Sequence, residues 1–401
     1  MRFASPRVIR GNRGDLLSRF GILSAMQQLG VKEITVFCHQ EQDIEPLPYP
    51  TEKYGALYNL FPTRRGYLAL RNCDAILWTA GLDLQDDSSL MKLLHTLLLF
   101  LSYRVLGLRI YVLMQGAGPL TTHWGKVLTR SILSQVELFV ARDSRTLHLL
   151  NQINNKTPLL LGYDGIFLGD FSVAPPAHEM PYIQSLLAGQ AGQPVIGFNI
   201  RQWFHFTSSI LPYQFAQKRY ANRSKEKMAA FIASCECTLR ALRQQYDARI
   251  LLLSMYQPDI EPWEDDLPYL QTIKTKFAHD DKIILVNQPL TLPGFCHLIA
   301  NLDLMVGTRL HSTLTAIRLG VPAINISYTL KGAAIFADLG LSANVVNLED
   351  YLKDIQLLLD LIDIQLHNPE SRPKAQEAAA RAQAQNEQIL ARFIQIMEKG
   401  G

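Results

Sequence analysis

Arg309 and His311 stand two residues apart in "VGTRLHSTLTAIRLGVPAINISY" (306–328), a stretch that reads as a buried strand end, a tight turn, a short helix and a second strand. Gly307 closes the strand, Thr308 is placed to cap the helix, and Gly320 and Pro322 are expected to stop it after about Leu319. Leu310, Leu314 and Ile317 recur at i, i+4 and i+7 and form the face turned to the sheet. The first turn of a helix presents unpaired N–H groups and the positive end of the dipole, so it attracts anions and disfavours cations. An arginine and a histidine in that turn point to an anion held between them. The alternative is an arginine bonded to a loop carbonyl beside a half-exposed histidine.

Other residues of the same chemical kind follow apolar runs elsewhere. Arg201 comes just after "VIGFNI", and Lys331 opens the helix after "AINIS". Two guanidinium groups at the carboxyl ends of strands in one sheet are expected to converge on one crevice, where planar forks suit carboxylate and phosphate. Near the start, "RGNRGDLLSRFGIL" (10–23) places Asn12 and Asp15 in a glycine-flanked turn before an amphipathic helix. Asp15 is either the helix cap or a functional carboxylate. Gln85 and Asp86 follow "AILWT", a glycine-rich turn follows "RIYVLM", and Arg142 and Asp143 follow "ELFVA". Each alone is ordinary turn chemistry; repeated on successive loops they read as the wall of a cleft.

Composition bounds what such a cleft serves. The chain has 401 residues, 48% hydrophobic and 19% charged, with a net charge of +3. That length implies more than one domain, and the near balance of mixed charge excludes a nucleic acid partner recruited by bulk charge. Five widely spread cysteines suit a reducing compartment better than a disulfide framework. Residues 1–14 carry four arginines and no apolar block, so no signal peptide is expected. Residues 93–114 form the most membrane-like stretch, but His95, Arg104, Gly107 and Arg109 interrupt it, and a buried helix followed by a buried strand is the better reading. The expectation is a soluble, cytoplasmic protein with at most a peripheral contact at the inner face of the plasma membrane.

Eleven apolar runs of strand length, at 33–38, 75–79, 109–114, 137–141, 158–162, 195–200, 249–254, 282–286, 303–306, 323–327 and 344–348, alternate with helical patterns. Near-continuous apolar strands between helices are the mark of parallel sheets covered on both faces. The fold expected is α/β, two tandem doubly wound Rossmann-like domains over 1–172 and 194–373. A Pro- and Gly-rich linker (173–193) would join them, a terminal helix (374–401) would follow, and the cleft would lie between the domains.

These residues together resemble the polysaccharide pyruvyl transferase family. "GNRGD", "LDLQDDSS", "QGAGPL", "ARDSRTLHLL", "GFNIRQW" and "GTRLHSTLTAIRLGVPAINISYTLKGAAIF" occur in family order between about residues 10 and 340. The resemblance implies a GT-B-like fold, phosphoenolpyruvate as donor substrate and a saccharide acceptor, either free or lipid-linked, with a pyruvate ketal as product. It carries the family's donor-binding positions to Arg201, Arg309, Leu310 and His311. Three features depart from the pattern: Leu82 and Asp83 replace glycines, Thr146 replaces the serine of the R-D-x-x-S motif, and Pro6 interrupts the first strand.

The implied chemistry suits the residues. Phosphoenolpyruvate presents a carboxylate and a phosphate on one carbon, and Arg201, Arg309 and the helix start after Gly307 are expected to receive them, with Lys331 as a third positive group and with Asn12, Gln85 and Arg142 binding substrate from the first domain. His311 is the natural group to move protons near neutrality, Arg309 stabilises charge, and Asp15 is expected to take the proton of the attacking hydroxyl. No metal or resident cofactor is called for. Two other readings share these features: a GT-B glycosyltransferase using a nucleotide sugar, which lacks an evident acidic ribose anchor here, and a non-catalytic anion- or saccharide-binding protein.

Overall fold

The computed structural model describes residues 1–399 apart from 8, 10, 39–50, 54–63, 80, 82, 83, 88, 154, 155, 190, 191, 202–212 and 257–264. The first half runs β1 (Phe3–Ser5), α1 (Arg13–Gln28), β2 (Ile34–Cys38), β3 (Thr51–Lys53), α2 (Arg64–Arg71), β4 (Ala75–Thr79), α3 (Leu90–Val105), β5 (Arg109–Gln115), α4 (His123–Leu133), β6 (Leu138–Ala141), α5 (Ser144–Ile153) and β7 (Leu159–Leu161). A 3-10 turn (Gly165–Leu168) and α6 (Met180–Leu187) lead into the second half. There follow β8 (Val195–Asn199), α7 (Tyr213–Tyr246), β9 (Arg249–Leu252), α8 (Leu267–Lys276), β10 (Ile283–Leu285), α9 (Leu292–Ala300), β11 (Leu304–Gly307), α10 (Leu310–Arg318), β12 (Ala323–Ser327), α11 (Leu330–Asp338) and β13 (Val345–Asn347). Helices α12 (Leu348–Lys353), α13 (Gln356–His367) and α14 (Ser371–Lys399) complete the chain.

Every strand pair is parallel. The sheets have the orders β3-β2-β1-β4-β5-β6-β7 and β10-β9-β8-β11-β12-β13, both doubly wound. The winding of successive strands therefore reverses direction between β1 and β4 in the first sheet and between β8 and β11 in the second, and crevices open at such points. All eleven expected strands are present. Two more, β1 and β3, are three residues each. Pro6 follows β1 directly, and the edge strand β3 reads Thr-Glu-Lys, which carries no apolar signal.

Each face of the first sheet is covered by different helices. Leu70, Leu93, Phe100, Ile132 and Leu150, from α2 to α5, pack with Ile76, Ile110 and Phe139 on one face. Ile22 of α1 and Leu390 and Phe393 of α14 cover Leu77, Tyr111 and Val140 on the other. The last helix thus crosses back to the first domain. A further core mixes Leu16, Leu17 and Phe167 with Leu314, Ile317 and Phe336, so the two halves share buried apolar contact. The stretch read as a linker holds α6, whose Ile183 and Leu186 join that mixed core.

The reading of residues 93–106 as a buried helix needs correction. Leu93, Leu99, Phe100 and Tyr103 are buried, but Leu98 is 57% and Val105 86% exposed. A helix with more apolar residues than one sheet face can cover leaves some of them outside, and the far side of α3 stays open. Among the described residues, no helix is long and apolar enough to cross a membrane.

Phe393 is fully buried and meets the Tyr111 ring edge-on, 5.0 Å between centroids. Its truncation leaves a cavity where α14 grips the first sheet. We expect Phe393→Ala to lower unfolding stability by about 3–5 kcal/mol, measured by urea denaturation; a loss near zero would mean that α14 does not clamp that domain.

Candidate functional site

Residues that follow β6, β7 and β11 meet between the two sheets. Asp164 lies just after β7 and has no solvent exposure. Its Oδ2 accepts from Arg142 Nη1 at 3.0 Å and faces His311 Nε2 at 3.3 Å, while Oδ1 accepts from the Ile166 amide at 3.1 Å. Burial alone pushes this carboxyl up, but His311, Arg142 and the amide outweigh it and hold Asp164 well below the usual carboxylate range. An ionised Asp164 is an acceptor only, so His311 Nε2 carries its proton towards it, while the Nδ1 side of the ring packs against Gly14.

The first domain presses on the same imidazole. Asn12 caps α1, its Oδ1 accepting from the Gly14 amide at 3.1 Å and the Asp15 amide at 3.4 Å. A Cβ on Gly14 would lie 2.3 Å from His311 Cβ and Cγ, so only glycine lets α1 come this close. The Arg13 amide donates to Met255 O at 3.0 Å, pinning the start of α1 to the loop after β9. The helix α14 secures the Asp164 loop from outside: Asn386 Nδ2 donates to Asp164 O at 3.1 Å, and its Oδ1 accepts from the Tyr163 amide at 2.7 Å.

Lys331, in the first turn of α11, donates to Gln85 Oε1 at 3.3 Å across the cleft. The protein atoms packed around its ammonium push its pKa down to about 7; Asp87 opposes this, and Arg142 and Arg145 add to it. Burial also raises the Asp87 carboxyl, against the pull of Lys331, and Asp87 Oδ1 has no hydrogen-bond partner among the described residues. Arg142 thus links the two groups: it bonds Asp164 and repels the protonated Lys331.

The other residues singled out in sequence take different places. The Arg309 amide donates to Asn199 Oδ1 at 3.1 Å, and its guanidinium grips the buried Asp266 through Nε (3.0 Å) and Nη2 (2.7 Å). That guanidinium also stacks on Tyr256, 4.4 Å from the ring centroid. The Arg201 amide donates to Thr308 Oγ1 at 2.8 Å, and its guanidinium bonds the Tyr328 hydroxyl and lies 5.2 Å from that ring's centroid. The two arginines start from neighbouring strands, but their heads are anchored on different tyrosines. Thr308 was expected to cap α10; its hydroxyl serves Arg201 instead, and Arg309 occupies the cap position without a side-chain capping bond.

Asp15 pairs with Arg7 at 3.7 Å. Leu310 packs against the mixed core, and Gly307 ends β11 with its carbonyl accepting from Asn325 Nδ2 at 3.2 Å. Asp86 is fully buried and accepts from the amides and hydroxyls of Thr121 and Thr122, which makes it the clamp of the β5–α4 loop. Thr146 keeps the bonding expected of a serine there: its amide and hydroxyl donate to Asp143, and its hydroxyl accepts from the Ala117 amide at 3.0 Å. Leu82 and Asp83 lie outside the described residues.

Sequence reasoning missed Asp164, Asp87 and Asp266. The one available signal for Asp164 was a carboxylate in "LGYDGIF", directly after an apolar strand and set between two glycines.

Two doubly wound α/β units with such a cleft define a GT-B-like architecture. It is similar to Anabaena Alr3699/HepE in complex with UDP and glucose (TM-score 0.58, 13% identity, 98% of this chain and 99% of that one). It is similar also to the UDP-GlcNAc 2-epimerase of Methanocaldococcus jannaschii (TM-score 0.57, 13% identity, 98% and 99%). Residues 12–329 match the model of the polysaccharide pyruvyl transferase family, and the chain belongs to that family. It is also 22% identical over 298 residues to the amylovoran biosynthesis protein AmsJ of Erwinia amylovora; the match covers 73% of this chain and 64% of that relative's length.

The depressed carboxyl of Asp164 has a consequence for stability. A group whose folded pKa lies below its unfolded value stabilises the fold fully above the unfolded value, here 3.8, and loses that contribution as pH falls towards the folded value. We expect the stability of the protein to fall as pH drops below about 4, and Asp164→Asn to be less stable at neutral pH but to show a flatter decline on acidification. Parallel acid limbs in the two proteins, followed by denaturant midpoints, would rule out an ionised Asp164 as the source.

Proposed function

We propose that this protein transfers the pyruvate group of phosphoenolpyruvate to two hydroxyls of a saccharide, forming a pyruvate ketal and releasing phosphate in polysaccharide biosynthesis. The arrangement of Arg142, Asp164 and His311, with Lys331 facing them, is the observation that carries this reading. It supplies a proton-exchanging imidazole beside an ammonium that is charged or neutral near pH 7. The AmsJ match, limited to 64% of that relative, favours an extracellular polysaccharide as the context.

The step runs as follows. One sugar hydroxyl adds to C2 of the enol while a proton is delivered to C3, which becomes the methyl group. Phosphate then leaves C2 with its bonding pair, and the second hydroxyl adds to the same carbon. The first hydroxyl's proton balances the one taken by C3, and the second hydroxyl's proton leaves with phosphate. His311, oriented by Asp164, is the group that delivers and collects these protons. Lys331 and Arg201 neutralise the donor's carboxylate and phosphate; Arg309, already matched by Asp266, holds the α10 turn in place. Asp15 is kept as a second candidate base, adjacent in chain to the glycine that touches His311.

Phosphate release that requires both phosphoenolpyruvate and an added saccharide is the expected result. His311→Ala is expected to reduce it by roughly a hundredfold or more. Stabilisation by UDP-sugars and not by phosphoenolpyruvate, in a thermal melt, would favour a glycosyltransferase instead; stabilisation by phosphoenolpyruvate with no release would favour a binding protein.

The charge of Lys331 makes a second test. Its pKa of about 7 leaves it largely neutral above that pH, and a bound polyanion favours the protonated form. Donor binding at about pH 8.5 is therefore expected to take up close to one proton, and affinity to weaken by up to about tenfold per pH unit above the free lysine's pKa. Calorimetry in two buffers of different ionisation enthalpy reads this directly. Lys331→Met should abolish the uptake; an uptake unchanged in that variant would place the titrating group elsewhere.

A further inference from the structure

We infer that the outer face of α3 and α4 is a docking surface for an anionic lipid bilayer. Fifteen large hydrophobic residues are conspicuously exposed among those described, and nine of them lie on α2, α3 and α4. Scattered exposure of this kind is ordinary, but such clustering on one face marks an interaction surface. On α3 the exposed residues are Met91, Leu94, Leu98, Leu101 and Val105, spaced three and four apart along a single stripe. The helix has 16 residues, so the stripe runs about 24 Å. Helix α4 packs beside α3 and adds Trp124, 65% exposed, and Val127.

Charge decides what kind of partner fits. The three helices carry seven Lys or Arg, three in α2, two in α3 and two in α4, and no Asp or Glu. The whole chain has 39 basic and 36 acidic residues, so these helices depart sharply from the average. Arg104 is matched by Glu137 at 2.7 Å, whereas Lys126 and Arg130 are exposed next to Trp124 and Val127. Apolar side chains with an indole among them, flanked by basic residues, are what an interfacial helix presents to acyl chains and anionic headgroups. A second copy of this chain is a poorer occupant, because a two-fold contact would set the same cations against themselves.

The surface adjoins the cleft. Ser89 caps α3 four residues after Gln85, the partner of Lys331, and Asp86 clamps the loop that starts α4. Docking on α3 and α4 would therefore bring the cleft mouth to the headgroup level, where a lipid-linked saccharide is held. The surface stands or falls independently of the donor chemistry, since it requires no turnover.

Sedimentation of the full chain with vesicles tests it. Binding is expected to phosphatidylcholine vesicles containing phosphatidylglycerol, to be several-fold weaker at high salt, and to be slight on phosphatidylcholine alone. Leu98→Glu with Val105→Glu, at exposed positions that leave the core intact, should abolish binding with an unchanged thermal melt. Lys126→Glu with Arg130→Glu should weaken binding to the anionic vesicles roughly tenfold or more and remove the preference for them. The inference is overturned if the unaltered protein binds neither vesicle, or if Leu98→Glu with Val105→Glu leaves binding unchanged. It is overturned too if light scattering shows a dimer that those two changes dissolve while no vesicle is bound.

Discussion

A carboxylate cut off from water survives as an anion only when donors and positive charge replace its hydration, and Asp164 is surrounded by groups from several parts of the fold. Arg142 comes from the end of β6, the Ile166 amide from the 3-10 turn, and His311 from the first turn of α10 in the other domain. Asn386 of α14 holds the backbone of the same loop. The price of burying this charge is thus met only when both domains and the last helix are in place. Domain packing and site geometry are one constraint, because His311 is the partner of Asp164 that the second domain supplies. The closeness of Gly14 to the imidazole has the same origin: α1 must approach within a Cβ's width for the two sheets to share their mixed core.

Charge at the site is mostly matched within the protein. Arg142 is paired with Asp164, Arg309 with Asp266 and Arg7 with Asp15. A guanidinium gripped through two nitrogens by a buried carboxylate is a strut: removing either partner exposes the other to a large desolvation cost. Cations without a carboxylate in direct contact are the groups suited to an incoming anion, and Lys331 and Arg201 are of that kind among the described residues. Burial makes the charge on Lys331 conditional, and a nearby anion settles it in the protonated state.

The fold was legible to the extent that its strands are apolar runs. Central segments such as "AILWT" and "AINIS" are buried at every residue, and their sequence is dictated by that burial; β7, β10 and β13 are only partly buried but still apolar enough to read as strands. What escaped was set by geometry that periodicity does not carry. Strand β3 is a polar edge, α6 is a short helix in a stretch of Pro and Gly, and α3 carries leucines on both its buried and its exposed side, so periodicity does not tell the two apart. In the site, the positions after strands identified Arg142, His311, Lys331 and Gln85, because a doubly wound topology forces those turns onto one edge. Pairing between residues distant in the chain was not readable. Asp266 and Arg309 are 43 positions apart and Asp164 and His311 are 147 apart, and nothing in either local sequence announces the other. For that reason Arg309 looked like an anion's ligand, when its own carboxylate already occupies it, and Asp86 and Asp87 could not be told apart as clamp and cleft residue.

The same topology explains why the basic apolar face and the cleft lie close together. Helices that follow strands of a parallel sheet all begin at the carboxyl edge, so the first turns of α3 and α4 sit beside the loops that line the crevice. Asp86 strengthens this link: it is next to Gln85 in the chain and holds Thr121 and Thr122, the two residues before α4. Any force that orients α3 and α4 on a surface therefore also orients the loop that carries Gln85 towards Lys331. An exposed stripe on α13 or α14, which cover other faces, would have no such connection; its placement on α3 and α4 ties the surface to the site.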